Sequence, residues 1–210
     1  MIRLENTPTL HTERLLLRKF TEKDIPAVLR IYSDDRTNTF LPWFPIKTLP
    51  EAEALLRETY LKSYEHPAGY RYALCLKSDN IPLGYVHVSP DESHDFGYGL
   101  RSDFWRQGLA TEACLAVAGR LKEAGYPYIT ATHDVQNPRS GEVMKKLGMT
   151  YRYSYEEQWQ PKNIPVIFRL YQLNFDGQDD RTYRLYGEQS ARMFVEDTKW
   201  KLCARALRKP

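Results

Sequence analysis

Cysteine is scarce in this chain of 210 residues: Cys75, Cys114 and Cys203 stand far apart, and no C-x-x-C occurs. A zinc ribbon or a redox dithiol is therefore unsupported, and an odd count without a pairing pattern fits a reducing compartment. Long apolar runs are missing as well. Nothing approaches the roughly 18 residues that would span a bilayer. The opening Met1-Ile2-Arg3-Leu4-Glu5-Asn6 lacks the apolar centre of a signal peptide, so the expected location is the cytoplasm, with no membrane partner. An excess of one charge is also lacking. Thirty Lys and Arg stand against 27 Asp and Glu, leaving +3, too little to argue for a nucleic-acid partner. There is no internal repeat and no low-complexity segment. With 42% hydrophobic and 27% charged residues, disorder and collagen-like repeats are excluded. The length suggests one domain, or one domain with an appendage. The 13 Pro and 15 Tyr point to many turns and amphipathic surfaces.

Elements follow from the pattern. Residues 14–20 form a short apolar run that reads as a strand. Thr21 then caps a helix, with Asp24 at capping-box spacing and Ile25, Val28, Leu29 and Tyr32 on one face. Residues 34–46 read as a loop, and Pro50 opens a second helix that continues through Ala54, Leu55 and Leu61. Strands are expected at 70–76, 83–88 and 95–100. A strong helix spans 108–124, with Leu109, Ala113, Leu115, Ala116, Val117 and Leu121 as its apolar positions and Gly125 as its stop. A strand at 129–135, a helix at 140–147 and strands near 149–159 and 166–173 complete an α+β pattern with a mixed sheet. Residues 182–196 could be one further helix, followed by a basic stretch that reads as a solvated tail.

The most informative stretch runs from Phe96 to Ala113. A strand enters a turn, and small residues open a helix. The first amides of a helix lack internal partners and can hold a phosphate if no side chain blocks the approach. Gly108 and Ala110 keep that approach open, and Arg106 adds a charge. A plain helix start is the competing reading. Gly97-Tyr98-Gly99 lacks the third glycine of G-x-G-x-x-G, since Ser102 stands there, and no G-x-x-x-x-G-K-[ST] occurs.

Trp105-Arg106-Gln107-Gly108-Leu109-Ala110-Thr111-Glu112-Ala113 resembles the acetyl-CoA pyrophosphate loop of the GNAT N-acetyltransferase superfamily, and within it the RimJ/RimL-like branch of ribosomal-protein alanine acetyltransferases. Three further segments carry the same resemblance: Thr12-Glu13-Arg14-Leu15-Leu16-Leu17-Arg18, Asp95-Phe96-Gly97-Tyr98, and Asn137-Pro138-Arg139-Ser140 with Lys146-Leu147-Gly148-Met149.

The resemblance implies a GNAT-type fold: a mixed, largely antiparallel, splayed sheet flanked by helices, over residues 1–175. Residues 176–210 would then be a C-terminal extension, helical before its basic tail. It implies acetyl-CoA in the splay between strands 95–100 and 129–135, and no metal. The amides of Gln107, Gly108, Leu109, Ala110 and Thr111, with Arg106, would cradle the pyrophosphate. The backbone of Tyr98, Gly99 and Leu100 would run beside the pantetheine and polarise the thioester carbonyl. Asn137 would contact pantetheine or acceptor, and Ser140 would sit near the sulfur. Asp95 is the candidate base, with His94 and His87 as alternatives and a surface carboxylate as the competing reading. Where the family often places a Tyr general acid, Met144 stands; Ser140 is the available substitute, and a helix-capping serine is its competing role.

The implied activity is direct acetyl transfer to a primary amine, either a protein N-terminal α-amine or a small molecule, with a homodimer compatible. Trp43, Phe44 and Trp159, with Tyr153, Tyr155, Glu156 and Glu157, would frame the acceptor pocket, unless these aromatics only pack the loop and hairpin. Two other classes compete: a non-catalytic acetyl-CoA sensor, and nucleic-acid binding through the basic tail.

Overall fold

The computed structural model describes residues 6–66 and 70–196. The basic tail and Cys203 lie outside the described residues.

Runs of side chains buried on both faces build the centre of the first sheet. Strands β1 (Leu10–His11), β2 (Leu15–Arg18), β3 (Arg71–Leu76), β4 (Pro82–Val88) and β5 (Phe96–Leu100) lie side by side in that order, each antiparallel to its neighbour. Leu15 and Leu17 enter one apolar cluster while Leu16 packs against the other, the period-2 alternation of a strand between two covered faces. A second antiparallel sheet has the order β6-β8-β7-β9, built from β6 (Tyr128–Asp134), β7 (Thr150–Trp159), β8 (Ile164–Asn174) and β9 (Met193–Phe194). The sheets meet in one parallel bridge, Asp95 to Thr130. The Thr130 N–H donates to the His94 carbonyl at 3.3 Å, and Thr130 Oγ1 donates to the Ser93 carbonyl at 2.8 Å. The sheet is mixed at this joint, as expected, and splays beyond it.

Helices cover both faces. Helix α1 (Ile25–Tyr32) follows the Thr21–Asp24 capping box and buries Ala27, Val28, Ile31 and Tyr32. It packs with α3 (Leu49–Leu55) on one face of the first sheet, over Ala73, Cys75 and Tyr85. Helix α4 (Leu109–Glu123) covers the other face. It buries Leu109, Ala113, Cys114, Val117, Ala118 and Leu121 against Val86, Val88 and Phe96; Leu115 is instead 50% exposed. Helix α5 (Pro138–Lys146) begins two residues earlier than expected, with Asn137 as its N-cap residue. None of the described helices is long and apolar enough to cross a membrane.

Two expectations need correction. The 34–46 loop contains a short helix, α2 (Asp35–Asn38), because the Asp34 carboxylate accepts from the Arg36 and Thr37 amides and nucleates one turn without an apolar face. Residues 182–196 are not one helix. Helix α6 (Leu185–Gln189) is short, and Ser190 turns extended so that β9 can pair with Ser154 and Tyr155 of β7. Gly187 permits this packing: a Cβ there would lie 2.3 Å from the Met193 sulfur and 2.9 Å from the Tyr153 ring.

Candidate active site

The start of α4 is an open concavity. After β5 the chain makes a 3-10 turn over Ser102–Phe104, and Arg106 and Gly108 then adopt left-handed backbone, with φ of 63° and 78°. Alternating handedness of this kind turns successive amides toward a common centre. Gly108 occupies the N-cap position with no side-chain cap. The amides of Leu109, Ala110 and Thr111 therefore lack both an intrahelical acceptor and a capping oxygen. The Leu109 side chain is buried in the core, so its N–H is the part that can serve a ligand. Arg106, Gln107 and Gly108 are exposed. The nearest atom to a Cβ built on Gly108 is Arg14 Nη2 at 3.4 Å, so no side chain fills the turn.

The turn is fixed from both sides. Trp105 Nε1 donates to the Leu100 carbonyl at 2.7 Å, and Thr37 Oγ1 donates to the same oxygen at 3.2 Å. The Ser102 N–H donates to Asp34 Oδ2 at 2.9 Å. Burial opposes ionisation of Asp34, but bonds from Ser102 and Thr37 outweigh it and bring its pKa down to about 2. Two cations lie over the Trp105 ring, the guanidinium carbons of Arg36 and Arg139 being 5.4 and 5.9 Å from its centroid.

Past the Asp95–Thr130 bridge, β5 has one free edge. Asp95 and Arg101 bond toward β4, through Ser89 and Leu83. Antiparallel alternation gives Gly97 and Gly99 the same direction, so Phe96 and Tyr98 turn their N–H and C=O groups to the open edge. Tyr98 and Gly99, grouped together from the sequence, thus differ. Tyr98 offers backbone to the gap, while Gly99 admits the Tyr85 ring, which a Cβ would meet at 2.6 Å. The Leu100 carbonyl also faces the gap but is already held by Trp105 and Thr37.

Tyr98 crosses the gap with its side chain. Its Oη donates to the Ser140 carbonyl at 2.7 Å and lies 2.9 Å from Ser140 Oγ. Ser140 sits inside α5 rather than at its cap. The Asn137 carboxamide does not cap α5 either. Met144 is 1% exposed and packs in the core. Cys114 and Cys75 are buried, and burial pushes both thiols up, Cys75 to about 12. Neither is poised as a nucleophile.

The opposite face of β5 carries the titratable groups. A Cβ on Gly97 would strike the His87 ring at 2.4 Å, so His87, Tyr85 and, by alternation, Asp95 share that face. Tyr32, Tyr85 and His87 stack in sequence, at 5.4 and 5.7 Å between ring centroids. Asp95 is half-buried. Burial, reinforced by the nearby negative charge of Asp91, pushes its carboxyl up to about 7. Burial, with the charge of Arg71, pushes His87 down to about 3. His94 is also lowered by burial, and its ring packs on Tyr126 and Tyr128 at 4.9 and 5.2 Å.

The aromatic residues expected to frame the acceptor have different settings. Trp43 packs on Tyr32 at 6.2 Å and donates its indole N–H to Asn38 Oδ1 at 3.1 Å. Phe44 is 63% exposed. Trp159 packs edge-on against Phe168 at 5.0 Å. Trp43 thus packs within the loop and Trp159 within the hairpin, while Phe44 stands open to solvent. The hairpin tip reaches that loop through Lys162 Nζ, which donates to the Asn38 carbonyl at 2.8 Å. Burial raises the phenols of Tyr155, Tyr183 and Tyr186, and the charge of Asp95 adds to the rise in each; Tyr155 and Tyr186 stack on each other at 5.8 Å. Tyr186 and Tyr183 lie 5.1 Å apart, edge to face. Sequence reasoning missed these two; the pair of tyrosines three residues apart, just past a polar break, was the available signal.

Comparison with known proteins places this geometry. The Acetyltransferase (GNAT) domain model matches residues 14–150. The uncharacterized N-acetyltransferase YoaA of Bacillus subtilis (strain 168) is 23% identical over 171 residues, covering 79% of this chain and 96% of that protein. A GNAT-family acetyltransferase structure from Bacillus anthracis superposes with a TM-score of 0.69 at 24% identity, over 80% of this chain and 99% of the other. RimL, a ribosomal L7/L12 α-N-protein acetyltransferase solved with coenzyme A, gives 0.71 at 16% identity, over 80% and 99%. These solved structures share the fold. The chain belongs to the GNAT acetyltransferase family.

Proposed function

We propose that this protein transfers the acetyl group of acetyl-CoA directly to a primary amine, a protein N-terminal α-amine or a small molecule, as the RimJ/RimL-like branch does. The observation that carries the reading is the parting of β5 from β6 just past the Asp95–Thr130 bridge, with the uncapped start of α4 beyond the far end of β5. The residues fit the cosubstrate: unpaired amides at 109–111 and the exposed Arg106 suit a diphosphate, and the open Tyr98 edge suits an extended pantetheine. Bound there, acetyl-CoA supplies an activated acetyl thioester.

The chain's own groups then handle protons. An amine arrives largely as ammonium and must lose a proton to attack. Asp95, with a pKa near 7, is ionised often enough to accept it and basic enough to hold it. His87 at about 3 is too weak a base. The Tyr98 N–H, on the open edge, is placed to stabilise charge on the carbonyl oxygen. Ser140 can relay a proton to the departing thiolate, its hydroxyl regaining the second proton that the nitrogen sheds as the amide forms. Asn137, its carboxamide unused by α5, can bind pantetheine or acceptor.

The test is incubation of purified protein with acetyl-CoA and an amine panel that includes peptides with free N-termini, reading free thiol and a gain of one acetyl group by mass. Turnover on any amine supports the reading, and the preferred amine assigns the acceptor class. CoA binding without thiol release on the whole panel would replace it with a sensor role.

A further inference from the structure

The turn that precedes β2 lies against the start of α4, about a hundred residues away in the chain. Thr12 Oγ1 donates to Glu112 Oε1 at 2.6 Å, and the Arg14 N–H donates to the same oxygen at 2.9 Å. The Arg14 guanidinium donates from Nε to Glu112 Oε2 at 2.7 Å and places Nη2 2.6 Å from that oxygen. Its third arm, Nη1, donates to the Gln107 carbonyl at 2.8 Å. Both flanks of this turn are anchored in the sheet, Thr12 N–H to the Leu15 carbonyl and Lys77 N–H to the Arg14 carbonyl, each at 3.0 Å.

This arrangement has two physical effects. Glu112 sits in the first turn of α4, where its charge would repel any anion held by the same helix start. Burial alone would raise its pKa, but the bonds from Thr12 and Arg14 prevail and keep it ionised. Its charge is thus retained but matched by the adjacent guanidinium. The second effect is geometric. In a trans peptide, C=O and N–H point in opposite directions. Holding the Gln107 carbonyl toward Arg14 turns the Gly108 N–H away from it, within the stretch where Arg106 and Gly108 are left-handed.

We infer that Arg14 is a positioning residue for the diphosphate: it sets the Gln107–Gly108 peptide and neutralises Glu112, so that the start of α4 meets an anion already oriented and without opposing charge. The inference rests on the acetyl-CoA site proposed above. Arg14 itself is a partner of the loop rather than of the reacting atoms.

Calorimetric titration with CoA separates the possibilities, using wild type, Arg14→Ala, Arg14→Lys, Glu112→Gln and the Arg14→Ala/Glu112→Gln double variant. Turnover of S-acetylpantetheine, which has no diphosphate, serves as the reference. The expected result is CoA binding weakened at least tenfold in Arg14→Ala, weakened less in Arg14→Lys, and partly restored in the double variant, because removing the acid removes the repulsion that Arg14 had cancelled. S-acetylpantetheine turnover should stay within about twofold in all of them. Wild-type CoA affinity in Arg14→Ala overturns the inference. So does an equal loss on CoA and S-acetylpantetheine, which would make Arg14 merely structural. Should Arg14→Ala fail to fold, Arg14→Lys against Glu112→Gln still decides: weaker CoA binding in Arg14→Lys supports the inference, and no change in either variant overturns it. Absence of CoA binding in the folded wild type overturns the site itself, a distinct outcome.

Discussion

Tyr98 of β5 and Ser140 of α5 meet hydroxyl to hydroxyl across the gap between the sheets, 2.9 Å apart, while Tyr98 donates its one proton to the Ser140 carbonyl at 2.7 Å. A phenol has a single proton to give. With it committed to the carbonyl, Ser140 is the donor in the Oη···Oγ contact. A thiolate formed nearby offers the serine a stronger acceptor. Ser140→Ala should therefore lower kcat by about 10²-fold, the lower end of general-acid effects, with the CoA dissociation constant little changed. Tyr98→Phe should cost about tenfold, since it orients the serine without supplying the transferred proton. Steady-state kinetics with parallel CoA titration check both, and a larger loss from Tyr98→Phe than from Ser140→Ala would reverse the assignment.

Asp95 gives a pH signature in rate and in stability. With a folded pKa near 7, kcat/KM should fall below about pH 7 as the carboxylate is protonated, and Asp95→Asn should lose both activity and that limb. The stability effect has the opposite sense to that of a paired carboxylate. The folded state binds the proton more tightly than the unfolded chain, whose carboxyl titrates near 3.8. Stability is therefore highest below that value and declines as pH rises toward 7. At about 1.4 kcal/mol per pKa unit, ionised Asp95 costs the fold up to about 4 kcal/mol. Asp95→Asn should raise Tm at pH 8 and leave it nearly unchanged at pH 4, measured by thermal scans.

Gly108→Glu should abolish CoA binding while the chain still folds. The φ of 78° makes any side chain there costly by about 1 kcal/mol, which a domain of this size tolerates. The added carboxylate would stand beside the unpaired amides that a diphosphate needs. Unchanged CoA titration in this variant would remove the loop from the site.

The C-terminal extension should act on the acceptor alone. Tyr186→Ala removes the ring stacked on Tyr155 and within reach of the Asp95 charge. It is expected to raise the acceptor KM about fivefold, the equivalent of one aromatic contact with the acceptor of about 1 kcal/mol, without altering CoA affinity. Gly187→Leu, which drives a side chain into Met193 and Tyr153, should do the same by displacing α6 as a whole.

What was legible in the sequence was local. The Thr21–Asp24 cap, the apolar stripe of α4 and the alternation of β2 each follow from neighbours within a few residues. So does the α4 start, where Gly108 and Ala110 announce an open helix end. Pairings set by distant residues were hidden. Strand β9 is two residues long and finds its partner about 40 positions earlier in β7, so residues 182–196 read as helix from composition alone. Glu112 looked like an ordinary first-turn acid because Arg14 lies 98 residues away. The different settings of Trp43, Phe44 and Trp159, two packed and one 63% exposed, were hidden because burial is not written in the residue type. Asp95 could be picked out only through the family resemblance of its strand, and its raised pKa comes from tertiary burial and from Asp91.

The junction at Asp95 and Thr130 also bears on precision. One parallel bridge joins the two sheets among the described residues, Tyr98 and Ser140 tie their open side, and one apolar cluster draws side chains from both sheets. A proton acceptor seated on that joint would thus hold its station by backbone and core together, whatever long cosubstrate enters the wedge.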